Sequence, residues 1–591
     1  MSTAILAGVP VPGSSLDGDL RSLGFDVCTA ADAEETVKLL TAAPADERVA
    51  VVDTRFVGHL HALRLALTDP RFAAAAVPGA LTVQPEARPA LTRALATAEP
   101  GPDTLAAALD DAGTAVQRPE LGTLVAAVPT DPQTRHEARA AVAAVDDEAV
   151  RLRTAVKSRD GFFTTYCISP YSRYIARWCA RRGLTPNQVT TASLITALIA
   201  ATCAATGTRG GYIAAGLLLL CSFVLDCTDG QLARYSLQYS TLGAWLDATF
   251  DRAKEYAYYA GLALGAARNG DDIWVLALGA MVLQTCRHVV DFSFNEANHD
   301  ASANTSPTAA LSDKLDSVGW TVWVRRMIVL PIGERWAMIA VLTAVTTPRI
   351  VFYALLIGCA LAACYTTAGR VLRSLTRKAT RTDRAAQALA DLADSGPLAQ
   401  FFGQVLKGPR SALPVIAFVG GAVVVGTSLF APVGSWWPVV GAAVYCVLSG
   451  IAVSRPLKGA LDWLVPPVFR AAEYLTVLVL ADRSGVPGAL PAAFGLVAAV
   501  AYHHYDTVYR IRGGTGAPPR WLVRTVGGHE GRTLVVAVLA AVLTTQHTDN
   551  TRFTVALTVL AVAVALVVLA ESIRFWVSSG APAVHDEGEP A

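Results

Sequence analysis

Long apolar runs, broken by short polar or basic stretches, fill the chain from about residue 189 to residue 577. A helix needs about 20 predominantly apolar residues to cross a bilayer. Segments near 189–206, 211–231, 243–267, 273–292, 336–347 with its flanks, and 348–370 therefore predict six spans. Segments near 412–432, 436–454, 464–481, 488–505, 531–546 and 552–577 predict six more. Residues 375–410 read as a linker between the two sets. The polar tail after Pro582 is expected to be disordered. Ahead of the spans the pattern changes. Ala4–Val9 and Val49–Val52 are short apolar runs of the kind that form buried parallel strands. Leu16–Leu23, Ala33–Leu40 and Leu60–Leu67 carry helical periodicity. This β-α alternation predicts a soluble α/β domain over residues 1–150, closing in Ala-rich helix and linker from about 104 to 155.

Composition agrees with a membrane protein. Apolar residues make up 53% and charged residues 16%, with mean hydropathy +0.41. The 591 residues exceed one compact domain. A net charge of +1 gives no general case for binding nucleic acid. The ten Cys show no C-x2-C pair, and Cys203, Cys221, Cys359 and Cys364 sit in apolar runs as small hydrophobes. The first 20 residues lack the basic and long apolar regions of a signal peptide.

Basic residues cluster at 151–186, including Arg151, Arg153, Lys157, Arg173, Arg177, Arg181 and Arg182. They read as an amphipathic juxtamembrane helix on the cytoplasmic side. From there the Lys/Arg count puts Gln231–Leu242, Asn295–Arg335, Arg370–Arg384, Arg455–Lys458 and Arg510–Arg524 inside. The expectation is a multi-pass plasma-membrane protein, mainly α, with its N-terminal domain in the cytoplasm.

Four aspartates interrupt this apolar landscape: Asp226, Asp229, Asp247 and Asp251. Carboxylates in a span are expensive and mark function by default. The i,i+3 and i,i+4 spacings place each pair on one helix face. Four carboxylates together cannot all stay ionised unless a cation joins them. Oxygen-only ligands suit a hard ion such as Mg²⁺ or Mn²⁺. The full pattern is Asp226-x2-Asp229-Gly230-x2-Ala233-Arg234-x8-Gly243-x3-Asp247-x3-Asp251. It resembles the signature of the CDP-alcohol phosphotransferases, also called CDP-alcohol phosphatidyltransferases, at all eight fixed positions and every interval.

The resemblance implies a six-helix bundle over residues 187–374. It also implies transfer of a substituted phosphoryl group from a CDP-linked lipid or alcohol to a polar hydroxyl acceptor, with release of CMP. Asp226, Asp229 and Asp247 would be metal ligands. Asp251 would be the general base and touch a second metal. Leu184–Thr190 resembles the family's entry into its first span, where Thr185, Pro186 and Asn187 would help hold the cytidine. Gly230, Ala233, Arg234 and Gly243 would complete the nucleotide site. For the acceptor, the cationic candidates are Arg252, Lys254, Arg287, His288, Arg325 and Arg326, with Arg335 nearby. Such a pocket suits inositol phosphate or another phosphorylated polyol. Family members often pair, so a homodimer or an intrachain pseudo-dimer is expected.

Two regions fall outside the signature. Ala4–Gly8 resembles the first strand of sugar-nucleotide and cytidylyl transferases, yet the following loop, Val9–Ser15, holds no basic residue. The reading is a non-catalytic domain, with an active cytidylyltransferase and hence a bifunctional enzyme as the alternative. The second six-span region, 411–578, shares short strings with the first in the same order. Val224–Asp226, Gly243–Asp247, Glu255-Tyr256 and His288–Asp291 recur as Val447–Ser449, Gly459–Asp462, Glu473-Tyr474 and His503–Asp506. That suggests a degenerate repeat lacking the counterparts of Asp226, Asp229 and Asp251, and so unable to build the same metal site. A catalytically silent membrane scaffold is the remaining rival.

Overall fold

The structure is a computed structural model that describes residues 2–96, 98–157, 160–299, 329–376, 380–544 and 551–578. Arg325, Arg326 and the tail expected to be disordered lie outside the described residues.

The N-terminal domain is a five-stranded sheet flanked by helices. Its strands are β1 (Ser2–Ala7), β2 (Asp26–Ala30), β3 (Arg48–Asp53), β4 (Ala74–Val77) and β5 (Ala80–Val83), in the order β2-β1-β3-β5-β4. β1, β2 and β3 run parallel, and β5 and β4 join antiparallel as a hairpin. Ile5, Ala50 and Val52 are fully buried, as continuous apolar strands covered on both faces should be. β2 and the hairpin carry weak or small-residue patterns and were not foreseen. The domain ends in α1 (Asp147–Thr154). It docks on the membrane region there: Arg151 Nε donates to the Tyr235 carbonyl at 2.8 Å, and its guanidinium lies 3.5 Å from the Tyr235 ring centroid.

Among the described residues, six long helices follow α2 (Ser169–Arg181): α3 (Pro186–Ala205), α4 (Arg209–Ser236), α5 (Thr241–Arg268), α6 (Trp274–Asn298), α7 (Ile332–Val345) and α8 (Pro348–Thr376). Then come α9 (Asp383–Leu392) and α10 (Pro397–Val405). A second six follows: α11 (Leu413–Phe430), α12 (Trp437–Ala452), α13 (Val465–Ser484), α14 (Ala489–Arg512), α15 (Gly528–Leu543) and α16 (Arg552–Ser578). Among the described residues, eight helical segments are long and apolar enough to cross a membrane, so this is a multi-pass membrane protein. The shortfall from the twelve expected has two causes. α7 and α12 are short, at 14 and 16 residues. α5 and α14 are long but carry the charges of the polar interior.

Residues 375–410 do not form an open linker. α9 packs on α6, α13 and α14, with Leu389 and Leu392 buried. Asp394, just beyond it, is buried within hydrogen-bonding distance of Arg470 (3.1 Å), Arg532 (2.8 Å) and His503 (3.1 Å).

The two helix sets repeat one packing scheme. α3 lies against α4 and α5, α4 against α7, and α2 against α4. In the same way α11 lies against α12 and α13, α12 against α15, and α10 against α12. The buried ion pairs repeat too. Glu255 on α5 binds Arg252 (2.9 Å) and Arg335 of α7 (3.1 Å). Glu473 on α13 binds Arg470 (3.2 Å) and Arg532 of α15 (2.6 Å). Glu334 accepts from the Phe163 amide ahead of α2, and Glu530 accepts from the Gly396 and Ala399 amides at the start of α10. The halves meet reciprocally: α6 packs on α13, α5 on α14, and α6 on α14. His288 and Tyr505 touch there, with ring centroids 4.3 Å apart. This is the pattern of a two-fold, isologous contact.

The lattice also fixes the register of the repeat. Pairing Arg252 with Arg470 and Glu255 with Glu473 sets Asp247, Asp251 and Lys254 opposite Val465, Phe469 and Ala472. Asp462, matched to Asp247 by the sequence strings, instead lies in a short turn before α13 and accepts from the Gly459 amide at 2.7 Å.

Removing one partner of a buried ion pair leaves the others uncompensated, at a cost of about 3–5 kcal/mol. Arg532→Ala leaves Arg470 as the one arginine shared by Glu473 and Asp394, so the thermal unfolding midpoint in detergent should fall well below that of the unaltered chain. An unchanged midpoint would show that the lattice is not stabilising.

Candidate functional site

Close helix packing puts the acids together. On α5, Gly261 and Gly265 lie so near α3 that a Cβ on them would fall 2.4 Å from the Ala201 carbonyl oxygen and 2.1 Å from that of Ala204. α5 and α4 both rest on α3, which brings Asp247 and Asp251 up to Asp226 and Asp229. α4 stops just past Arg234 of the signature, at Leu237, whose left-handed φ of 53° turns the chain toward α5.

Carboxylate oxygens of Asp226, Asp229 and Asp247 all lie within 4.8 Å of one another. Oδ2 of Asp229 is buried and accepts no hydrogen bond. An oxygen-only cluster with a partnerless buried carboxylate oxygen fits a hard divalent cation. Asp251 stands outside this trio. Its Oδ1 lies 2.9 Å from Nζ of Lys254, which also bonds Asp226 and donates to Ser193 Oγ at 3.2 Å. Lys254 is wholly buried. It backs the acids from inside the protein and leaves their other side open.

That open side is a cavity of about 400 Å³, lined by all four aspartates and by Gly230 and Arg234. A smaller cleft of about 40 Å³ adjoins it, lined by Pro186, Asn187, Gly230, Ala233 and Gly243. Asp229 and Asp247 face both spaces, whereas Asp226 and Asp251 face only the larger. Gly243 has no room for a side chain, since a Cβ would sit 2.7 Å from Oδ1 of Asn187. Five of the residues expected at the nucleotide thus line one cleft. Thr185 lines neither space. It caps α3, accepting from the Gln188 amide at 3.4 Å while Gln188 bonds back.

Of the expected acceptor cations, the four among the described residues, Arg252, Lys254, Arg287 and His288, are not on the cavity wall. Arg252 pairs with Glu255 and lies 5.3 Å from the Tyr505 ring. Arg335 also pairs with Glu255. Lys254 is the internal counter-ion just described. Arg287 is buried and donates to the Val329 carbonyl, and His288 is packed between the halves against Phe292 and Tyr505. Their spacing on α5 and α6 gave the correct helices but not the face toward which each points.

Other residues reach the cavity without having been assigned to it. Lys157 and Asp160 come from the juxtamembrane stretch. Tyr509, Arg512, Thr515 and Trp576 come from the second half. The available signal was topological: the charge count had already put Arg510–Arg524 on the same side as the acids.

Residues 183–364 match the model of the CDP-alcohol phosphatidyltransferase family. Residues 383–591 match a family of unknown function (DUF5941). The chain is 36% identical over 132 residues to the phosphatidylinositol phosphate synthase of Mycolicibacterium smegmatis, covering 22% of this chain and 57% of that protein. It is 31% identical over 113 residues to the archaetidylinositol phosphate synthase of Pyrococcus horikoshii, covering 19% and 58%. It is 30% identical over 128 residues to the bifunctional IPC transferase and DIPP synthase of Aquifex aeolicus, covering 21% and 29%. The chain thus spans no more than 58% of the length of these relatives. Residues 183–364, the stretch that matches the CDP-alcohol phosphatidyltransferase model, thus hold the complete signature with its acids gathered on one cavity.

Proposed function

We propose that this protein transfers a substituted phosphoryl group from a CDP-linked alcohol, such as CDP-diacylglycerol, to a hydroxyl acceptor in phospholipid synthesis, releasing CMP. The observation that carries this reading is the aspartate trio, set between a narrow cleft and a wide cavity that share Asp229 and Asp247. We assign the cytidine end of the donor to the residues of this cleft, where Gly230 and Gly243 keep side chains off the backbone. Arg234 offers a forked donor to the pyrophosphate.

Asp226, Asp229 and Asp247 would hold Mg²⁺ or Mn²⁺. When bound, the ion neutralises the pyrophosphate and stabilises the leaving CMP. Asp251 faces only the wide cavity and takes the acceptor's proton as general base. The new bond joins the acceptor oxygen to the phosphorus distal to cytidine. The pyrophosphate P–O bond breaks, and CMP leaves with its electron pair. Lys254 fixes Asp226 and Asp251 in position and compensates their charge. Phosphoryl transfer asks mainly for such positioning and electrostatics.

For the acceptor we favour inositol phosphate or another phosphorylated polyol. The names of the relatives in Mycolicibacterium smegmatis and Pyrococcus horikoshii, both inositol phosphate lipid synthases, support this. The basic stretch at 151–186 supports a plasma-membrane enzyme with its site and N-terminal domain in the cytoplasm. The N-terminal domain is read as non-catalytic: Val9–Ser15 has no cation, and the sheet's cleft lies at the strand starts, beside Ser2 and Arg48. Ligands of such sheets bind at the opposite, carboxyl ends. The reciprocal packing of the halves supports an intrachain pseudo-dimer.

Two outcomes follow from these assignments. Purified protein should bind Mn²⁺, read by the loss of free-ion electron paramagnetic resonance signal. Asp229→Asn should weaken that binding roughly tenfold or more, and equal affinity would remove the ligand assignment. With CDP-diacylglycerol and inositol 1-phosphate, Asp251→Asn should slow CMP release by roughly 10²–10⁴-fold. Unchanged turnover would remove the base.

A further inference from the structure

The second half of the chain forms part of the wall around the acids. Tyr509 and Arg512 lie on one face of α14, three residues apart, and both line the 400 Å³ cavity. Gly513 and Thr515 continue that wall, and Trp576 of α16 closes it. None of the five lines the narrow cleft.

This wall is built firmly. Arg510 of α14 binds Glu571 of α16 at 2.6 Å and Asp506 at 2.9 Å. The Trp576 indole donates to Asp506 at 2.7 Å and stacks on Trp245 of α5, ring centroids 6.3 Å apart. The Arg512 guanidinium lies 5.4 Å from the Phe292 ring of α6.

Charge distinguishes its role. Among the described residues, the cavity carries the carboxylates of Asp160, Asp226, Asp229, Asp247 and Asp251. Its cations are Lys157, Arg234 and Arg512. Arg234 belongs to the donor side: its guanidinium nitrogens are the nearest atoms to a Cβ built on Gly230, and Nε is tied to the Ala155 carbonyl at 2.6 Å. Lys157 is exposed at the end of the N-terminal region. Arg512 is half-buried on a braced helix beside the space that Asp251 faces. A phosphomonoester brings about −1.5 to −2 charges at neutral pH. Next to five carboxylates it needs its own cation, and a planar guanidinium matches phosphate geometry.

We propose that the C-terminal half completes the active site, with Arg512 binding the phosphate of a phosphorylated acceptor and Tyr509 and Thr515 meeting its hydroxyls. This rests on the transferase reading above. It gives the region of unknown function a specificity role: it selects phosphorylated over unphosphorylated polyols.

The test uses the full chain in lipid nanodiscs with CDP-diacylglycerol. Acceptors are inositol 1-phosphate, glycerol 3-phosphate and unphosphorylated inositol, and CMP release is measured. Arg512→Gln should raise KM for the preferred phosphorylated acceptor roughly ten- to hundredfold. KM for CDP-diacylglycerol should stay within about twofold, since one charge-assisted contact on the acceptor side is lost. Arg512→Lys should recover part of the loss. Inositol 1-phosphate should raise the unfolding midpoint of the unaltered protein but not that of Arg512→Gln. Unchanged acceptor KM in an active, normally folded variant overturns the proposal. So does a rise confined to the donor's KM, which would assign Arg512 to the pyrophosphate. If Arg512→Gln fails to fold, Thr515→Ala and Tyr509→Phe must raise the acceptor KM, and normal values overturn the proposal. Absence of CMP release from the unaltered protein with every acceptor refutes the transferase reading itself, a result distinct from these.

Discussion

Charge buried in an apolar bundle must be matched at once, and that constraint shapes this protein from its centre outward. Lys254 is fully enclosed and holds Asp226 and Asp251 from behind. An ammonium in that position is tolerable only because two carboxylates accept it, and the carboxylates gather only because the ammonium is there. The same logic governs the next layer. Glu255 sits one residue beyond Lys254 and is held by Arg252, Arg335 and the Tyr259 hydroxyl at 2.6 Å. α5 therefore cannot rotate or slide without breaking both sets. This rigidity lets four carboxylates stand at a cavity with one buried oxygen of Asp229 still unsatisfied.

The second half shows what happens when the chemistry is absent but the frame is kept. The Arg–Glu–Arg lattice persists on α13 and α15. At the register of Asp247, Asp251 and Lys254 stand Val465, Phe469 and Ala472, all buried. Acids and counter-ion are missing together. Either kind alone would be an unpaired charge in a dry interior, so the stable alternatives are the complete set or none. Asp394 then joins the remaining arginines, and with them ties α9 into the bundle.

How far the sequence was legible follows from the range of the forces involved. The eight-residue signature, the long helices and the strands β1 and β3 are local patterns, and helices and strands stand close to where the apolar pattern puts them, although four of the helices are too short or too polar to count as spans. What was illegible depends on partners far along the chain. Arg335 reads as a loop cation until Glu255, 80 residues earlier, is brought beside it. Residues 375–410 read as a linker because their helices are short, and partners far along the chain, Arg470, Arg532 and His503, make Asp394 an interior residue. Arg252, Arg287 and His288 were placed on the right helices, but helical period does not say whether a face meets a cavity, another helix or the second half. Arg512 is the converse case: an ordinary flanking arginine in sequence, brought to the acids by contact between the halves.

The cavity is assembled from distant parts of the chain, and they are held in different ways. The acids are locked by Lys254 and by the α3–α5 contact, where even a methyl group at Gly261 would collide. The end of α4 is held from the N-terminal side, where the Tyr235 hydroxyl donates to Glu148 at 2.8 Å and Arg234 binds the Ala155 carbonyl. The far wall belongs to α14 and α16, braced on each other through Arg510 and Glu571 and on α5 through Trp245. Nothing in the acid cluster's own packing requires Tyr509, Arg512 or Thr515 to be what they are. In this architecture the acids are fixed at the pairing of α4 and α5, and the proposed choice of alcohol would lie in the wall the second half provides.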